Sequence, residues 1–403
     1  MNNTKEGVKE LAVYIHLPFC VCKCKYCDFI SGCYPEAVQK SYVNKLLKEI
    51  GWFFENRRTN HSGSTETIRI TSVFFGGGTP SILPAEEIER ILCKLKEEAE
   101  FADDIEITIE VNPGTVAGTG EKDSKFTVYR RIGINRISIG MQSASDEELR
   151  ILGRIHTAEE FDETYQLASE AGFENISVDV MYALPGQNYD SFERSLRKAA
   201  SLKPQPKHIS AYSLIVEEGT PFYETDFAAL GIPLPDEEEE RRMYESAAEI
   251  LKEYGYVQYE ISNYAIPGFE CRHNLVYWTE KEYIGFGIAA ASFLDGKRFT
   301  NTKSIEESVN APDYESLLGI RTDKEDLTEE AMMSEFVIMG LRLNKGVGAQ
   351  EFYQRFQIEL RQAYGEIIEK HVNNGLLMRL PDGGIVLTKE GRNLSNYVMK
   401  DFL

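Results

Sequence analysis

Strand-like and helix-like stretches alternate through the first two-thirds of this 403-residue chain, and that alternation restricts the fold more than any other feature. Leu11–Leu17, Ile68–Phe75, Ile105–Val111, Arg136–Gly140, Asn175–Tyr182 and His208–Leu214 are short runs rich in β-branched and aromatic residues, and Ile105–Val111 alternates strictly. Between and after them, Glu36–Phe54, Pro84–Ala99, Thr157–Ala171, Tyr189–Leu202 and Asp236–Tyr254 read as helices. The last opens with the acidic run Asp236–Glu240, which suits the positive end of a helix macrodipole. Repeated βα units predict an α/β protein with a parallel sheet, and about six units fall short of the eight of a full barrel, so a partial (β/α)6 barrel is expected. In such a sheet the loops after the strands share one rim. Pro18–Cys27, Gly76–Pro80, Glu110–Pro113, Gln142 and Leu184–Gly186 all fall at strand C-terminal ends and are expected to meet there.

The pattern changes near Leu327. Thr328–Arg342, Gln350–Phe356 and Glu359–Asn374 read as three helices, the last closed by Gly375. Leu376–Leu380 and Gly384–Leu387 flank the turn signal Pro381-Asp382-Gly383, and a helix is expected from Glu390. This is a C-terminal helical, winged-helix-like layout. The polar stretch Lys297–Lys324 reads as a connector and Thr59–Thr67 as a loop. The expected division is a core barrel over 8–240, a junction over 241–300 and the C-terminal unit over 325–400. Winged helices often bind DNA, but residues 328–403 hold nine Lys and Arg against ten Asp and Glu, and the whole chain carries a formal charge of −21. Such a surface repels phosphate backbones and anionic lipid, so no nucleic acid is expected as partner. Met1–Glu10 lacks the apolar core of a signal peptide and no apolar run is long enough to span a bilayer, so a cytoplasmic protein is expected.

Five of the seven cysteines crowd between Cys20 and Cys33, with only Cys93 and Cys271 apart, which points to metal rather than to disulfides. The spacing Cys20-x-x-x-Cys24-x-x-Cys27 offers three thiolates on one short loop. They suit three irons of a [4Fe-4S] cluster and leave the fourth iron open to a small ligand. A closed zinc site usually pairs two C-x-x-C units, and no second pair exists here. Cys22 and Cys33 are further thiols that could take a ligand position. Tyr26, just before Cys27, can cover a cluster with its ring. The run Phe75-Gly76-Gly77-Gly78-Thr79-Pro80 lets backbone approach a ligand closely, and it is not a phosphate loop, because no Gly-Lys-Ser/Thr follows.

With Tyr14–Phe29, Gly76–Ser81, Glu110-Val111-Asn112-Pro113, Arg136–Ser143, Gly153-Arg154-Ile155-His156, Asp179–Gln187 and Tyr212–Pro221, the sequence resembles the coproporphyrinogen oxidase-like branch of the radical S-adenosylmethionine (SAM) superfamily, and within it the HemW haem chaperones. The resemblance implies a cluster on Cys20, Cys24 and Cys27. It implies SAM bound by Tyr14, Tyr26, Gly77, Gly78, Thr79 and Glu110, with Gln142, Arg154 and Asp179 where the oxidases hold a second SAM.

Within that branch the oxidases carry a fourth cysteine two residues after the third, where this chain has Phe29, and a long N-terminal extension, where this chain has nineteen residues before Cys20. Both differences argue against porphyrinogen decarboxylation. His273-Asn274-Leu275-Val276-Tyr277-Trp278 resembles the H-N-x-x-Y-W motif associated with haem in the chaperones. His273 could ligate haem iron, Tyr277 and Trp278 could stack on a porphyrin, and Cys271 is a rival thiolate; the plain alternative is a core-facing histidine among packing aromatics. Relatives commonly show Ala-His-Ser after Gly-x-Gly, where this chain has Ala290-Ala291-Ser292. The expected function is haem binding and transfer to client haem proteins, with a flavodoxin- or ferredoxin-like electron donor and transient membrane-protein contact. The alternatives are an oxygen-independent coproporphyrinogen III oxidase and a related radical SAM methyltransferase.

Overall fold

The computed structural model describes residues 8–60, 67–116 and 124–403. The six expected strands form as β1 (Val8–Leu17), β2 (Thr67–Gly77), β3 (Glu100–Val111), β4 (Arg136–Gln142), β5 (Asn175–Tyr182) and β6 (His208–Ser213). They pair in consecutive order, each parallel to the next. Their C-terminal ends therefore share one rim. Helices Glu36–Asn60, Ala85–Glu98, Ala158–Glu170 and Tyr189–Ser201 lie in crossovers between parallel strands, Glu237–Glu253 follows β6, and these helices pack an apolar shell against the sheet. Side-chain caps start three of them: Thr157 in a full capping box, Asn188, and Asp236 at the head of the acidic run. Two short helices, Lys125–Ile132 and Asp146–Leu152, were not expected. They are too short to display a period, yet Ser124 and Ser145 cap their starts and Gly133 and Gly153 end them in the left-handed conformation. Of the expected loop Thr59–Thr67, residues 61–66 lie outside the described residues; the first helix reaches Asn60 and β2 begins at Thr67.

The strict alternation of β3 has an unusual sense. Ile107 and Ile109 pack in the shell against the helices, whereas the polar partners Glu106 and Thr108 are buried as well. Successive side chains point to opposite faces of a strand, so the polar set of β3 faces the barrel interior rather than water. Arg136 and Ser138 repeat this on β4, alternating with Ile137 and Ile139, all four buried. A polar interior of this kind is a prepared site, because each buried polar group there requires a partner.

The sheet extends beyond six strands. β7 (Val257–Gln258) and β8 (Asn263–Ala265) add antiparallel strands beside β6. β9 (Tyr283–Phe286) pairs parallel with β1, followed by antiparallel β10 (Ala291–Leu294), β11 (Lys297–Thr300) and β12 (Thr322–Asp326). This corrects the reading of Lys297–Lys324 as a connector. The segment holds β11, helices Ile305–Asn310 and Tyr314–Gly319 and the start of β12, and both strands belong to the same twelve-stranded sheet. It looked like a linker because β12 is an edge strand exposed along its whole length and is charged accordingly.

The C-terminal unit forms its own apolar core around Val337, Leu341, Phe352, Phe356, Ile368 and Ile385. It consists of helices Glu329–Leu341, Ala349–Phe356 and Leu360–Asn373, the hairpin β13 (Leu377–Arg379) and β14 (Ile385–Leu387), and helices Lys389–Asn393 and Ser395–Lys400. Three helices and a wing is the layout expected from sequence. No helix among the described residues is long and apolar enough to cross a membrane.

Candidate functional site

The loop after β1 carries the thiols, and its geometry is set by the end of β2. The Cys20 amide donates to Gly32 O at 2.9 Å and the Gly32 amide to Pro18 O at 2.9 Å, closing the loop at its base. Phe19 anchors it, buried edge-on against Tyr34 and Tyr42. The Gly78 amide donates to Leu17 O at 2.9 Å and the Thr79 amide to Phe19 O at 2.7 Å. A Cβ at Gly78 would stand 2.7 Å from Phe19 O and 2.8 Å from Phe19 N. The glycine run therefore docks the cysteine loop, backbone to backbone, as well as facing the cavity.

Cys20, Cys24 and Cys27 are half-buried and line one cavity of about 570 Å³. Burial pushes the Cys20 and Cys27 thiols up, and the nearby Cys24 adds to both shifts, so the three are mutual neighbours. Arg154 places Nη1 3.6 Å from Cys24 Sγ. No group of three His, Cys, Asp or Glu among the described residues is gathered for a single metal ion. A cubane instead takes one thiolate per iron and leaves one iron to an outside ligand. Three soft donors on one concave wall, with a guanidinium beside them, fit such a cluster. Cys22 is exposed at the cavity, and the exposed Cys33 turns its thiol to Val21 O at 2.9 Å.

The remaining wall comes from alternate residues of neighbouring strands: Phe74 of β2, Glu110 of β3, Arg136, Ser138 and Gly140 of β4, Asp179 and Met181 of β5, Ser210 and Tyr212 of β6. The sheet register sets Glu110 beside Ser138, and Gly140 beside Asp179, which lies beside Ser210. Burial, together with the neighbouring Asp179, pushes the Glu110 carboxyl up to about 8. Burial likewise raises Asp179, against hydrogen bonds from Ser210 and Ser138. Arg154 Nη2 bonds Asn112 Oδ1 at 2.6 Å and Gly140 O at 3.2 Å. Gln142, in the left-handed conformation, accepts from the Tyr212 hydroxyl at 2.9 Å. Tyr26 packs near Phe222 and lies beside Arg154.

Of the residues assigned to SAM from sequence, Tyr26, Gly77, Gly78, Thr79, Glu110, Gln142, Arg154 and Asp179 line this cavity. Tyr14 does not. Its ring stacks on Phe74 and its hydroxyl meets His16 Nδ1 at 3.1 Å, in the strand just behind the wall.

The H-N-x-x-Y-W run forms the short helix Arg272–Trp278, and helical spacing sorts it into two faces. His273 and Tyr277 point into the barrel wall. His273 is fully buried, with Nδ1 2.8 Å from Ser72 Oγ and Nε2 2.8 Å from Tyr277 Oη, and its ring lies against Phe74. Burial and the Arg136 cation hold it neutral, down to about 3. Both ring nitrogens of His273, the candidate iron ligand, are engaged inside the wall. Tyr277, the candidate stacking partner, is held by the same bond and sits edge-on to Tyr283. Cys271 is no better placed, being buried beside Glu106, with burial pushing its thiol up to about 12. Asn274 and Trp278, one turn apart on the other face, line the cavity.

Sequence reasoning missed Arg136, Asn274, Tyr212 and Arg342 as cavity residues. The alternation Arg136-Ile137-Ser138-Ile139-Gly140 held a signal for the first, being a polar face on a central strand. Arg342 follows helix Glu329–Leu341, where a cation reads as an ordinary dipole partner.

A family model described as the radical SAM superfamily matches residues 14–199, and one described as the HemN C-terminal domain matches residues 327–394. The chain is 33% identical over 395 residues to the heme chaperone HemW of Lactococcus lactis, covering 98% of each sequence. It is 32% identical over 398 residues to the heme chaperone HemW of Bacillus subtilis, covering 97% of this chain and 99% of the relative. Against the heme chaperone HemW of Escherichia coli it is 39% identical over 298 residues, 73% of this chain and 74% of the relative. The solved structure of coproporphyrinogen III oxidase (HemN) from Escherichia coli, a radical SAM enzyme, matches with a TM-score of 0.79 at 23% identity, over 99% of this chain and 91% of that one, a likeness of fold.

Proposed function

From the premise that this chain belongs to the HemW haem chaperone family of radical SAM proteins, we propose that it binds haem and passes it to client haem proteins in the cytoplasm. The observation that carries this reading is one cavity shared by the three thiols and by Asn274 and Trp278 of the helix that carries the H-N-x-x-Y-W run.

In this reading Cys20, Cys24 and Cys27 would hold the [4Fe-4S] cluster, which would supply electron-transfer chemistry to SAM bound beside it. Gly77, Gly78 and Thr79 offer backbone groups to SAM while keeping the thiol loop docked. Glu110 accepts from hydroxyls, and Tyr26 shields the thiols from water. Tyr14 supports the wall through Phe74 and His16. Gln142, Arg154 and Asp179 line the part of the cavity suited to a second SAM. Arg154 also opposes the negative charge that deprotonated thiols accumulate, through its contact with Cys24. An electron donor of the flavodoxin or ferredoxin kind, and brief contact with membrane-bound clients, complete the reading. The working division is a core over 8–240, a junction over 241–300 and a C-terminal unit over 325–400.

Phe29, exposed at the cavity where the oxidases have a cysteine, separates this reading from porphyrinogen oxidation. The test is anaerobic reconstitution, iron and sulfide analysis, then hemin titration followed at the Soret band. Saturable one-to-one binding is expected, with no porphyrinogen product from coproporphyrinogen III, SAM and reductant. Absence of saturable hemin binding, or product at catalytic rates, overturns it.

A further inference from the structure

Resting on the haem reading above, we propose that Arg342, delivered by the C-terminal unit, is the anchor for a propionate carboxylate of the bound tetrapyrrole. Arg342 follows helix Glu329–Leu341 and is fixed by the chain on its far side. Leu343 forms an antiparallel bridge with Glu260, the Asn344 amide donates to Tyr259 O at 2.9 Å, and Asn344 Nδ2 donates to Gln258 O at 2.8 Å. These contacts carry the guanidinium into the cavity that the thiols also line.

There the guanidinium has company but no hydrogen-bonded acceptor among the described residues. It lies over the Trp278 ring, 4.4 Å from the centroid. Its nearest acidic oxygen, Glu260 Oε2, is 4.0 Å away, too far for a hydrogen bond. Arg342 Nε, Trp278 Nε1 and Glu260 Oε2 are all buried without a hydrogen-bond partner among the described residues. Buried polar groups are almost always paired, so three unpaired ones on one wall mark a place that a ligand completes. Two of the three are N–H donors, and the planar fork of an arginine suits a carboxylate. The cavity also presents apolar surface. Phe29 and Ile215, 64% and 67% exposed, both line it, an arrangement that suits the flat face of a macrocycle with its acidic edge turned to Arg342.

The test uses full-length reconstituted protein titrated with hemin and with hemin dimethyl ester, read at the Soret band. The ester keeps the metal and the ring but loses both negative charges. The wild type should bind hemin about tenfold or more tighter than the ester, the range of a charge-assisted hydrogen bond. R342Q should lower hemin affinity to that of the ester and leave ester affinity unchanged, while R342K should keep part of the preference. W278F keeps a ring, removes the Nε1 donor and should lose a few-fold for hemin alone. The wild-type comparison needs no variant, so it stands even if R342Q fails to fold by circular dichroism. Equal affinity for hemin and ester, or an R342Q effect equal on both, overturns the assignment while haem binding survives. Failure of the wild type to bind hemin at all overturns the haem reading and this assignment with it.

Discussion

An imidazole with hydrogen bonds at both nitrogens must give one up to reach iron, and His273 is in that state between Ser72 and Tyr277. H273A should therefore leave the Soret position of the hemin complex unchanged. It should instead destabilise the fold by roughly 1–3 kcal/mol, because Ser72 and Tyr277 lose their partner in a buried site. Urea unfolding alongside the hemin spectrum checks both halves; a shifted Soret band with unchanged stability would show that the ring leaves the wall to bind iron. Gly78 makes a second prediction at this scale. A methyl group placed 2.7 Å from the Phe19 carbonyl meets backbone, which cannot swing aside. G78A should cost roughly 1–3 kcal/mol of stability and lower cluster incorporation, measured as iron per chain after reconstitution.

Among the elements, the long helix Glu36–Asn60 carries a buried acid, Glu49, into the turn after β9. Glu49 Oε2 accepts from the Gly287 amide at 3.1 Å and Oε1 from Asn301 Nδ2 at 3.0 Å. Burial pushes its carboxyl up to about 7, against the Arg321 and Lys45 cations. The folded protein thus binds a proton there that the unfolded chain has released above its ordinary range. The resulting stability is fully present below about pH 4.5 and is lost as the pH rises through about 7. At most about 3 kcal/mol is at stake, so urea midpoints should fall between pH 5 and pH 8, and E49Q should flatten that slope. An unchanged slope in E49Q would assign the dependence to other groups. The elements also show what the sequence could convey. Strands β1 to β6 and their crossover helices were legible because each is long enough to show a period. Helices Lys125–Ile132 and Asp146–Leu152 were not, although Ser124 and Ser145 stood ready as caps. The thiol loop and the glycine run were legible from spacing alone. The helix Arg272–Trp278 was legible as a motif, but only its packing against Ser72 and Phe74 decides which face is buried. That is why Asn274 and Trp278, rather than His273 and Tyr277, open on the cavity.

Over the whole molecule, charged contacts hold the C-terminal unit to the barrel. Arg298 of β11 grips Glu335 through two bonds of 2.6 and 2.5 Å. Arg355 donates to Glu280 O at 2.8 Å and pairs with the buried Glu280 carboxylate at 3.2 Å, and Lys389 reaches Glu245 at 2.8 Å. Removing Arg355 strands a buried acid, so the R298A/R355A pair should weaken docking by roughly 1–3 kcal/mol. Hydrogen exchange should then quicken across residues 327–403 while strands β1 to β6 keep their protection. Uniform loss of protection would show instead that the two parts unfold together. The bridge between Glu260 and Leu343 places one wall of the cavity on this separately packed unit. By thermodynamic reciprocity, a cargo gripped from both sides seals the seam by the same factor that the closed seam tightens the grip. Peeling residues 327–403 away would then loosen the grip by the share that Arg342 supplies, with the cysteine loop left as it was.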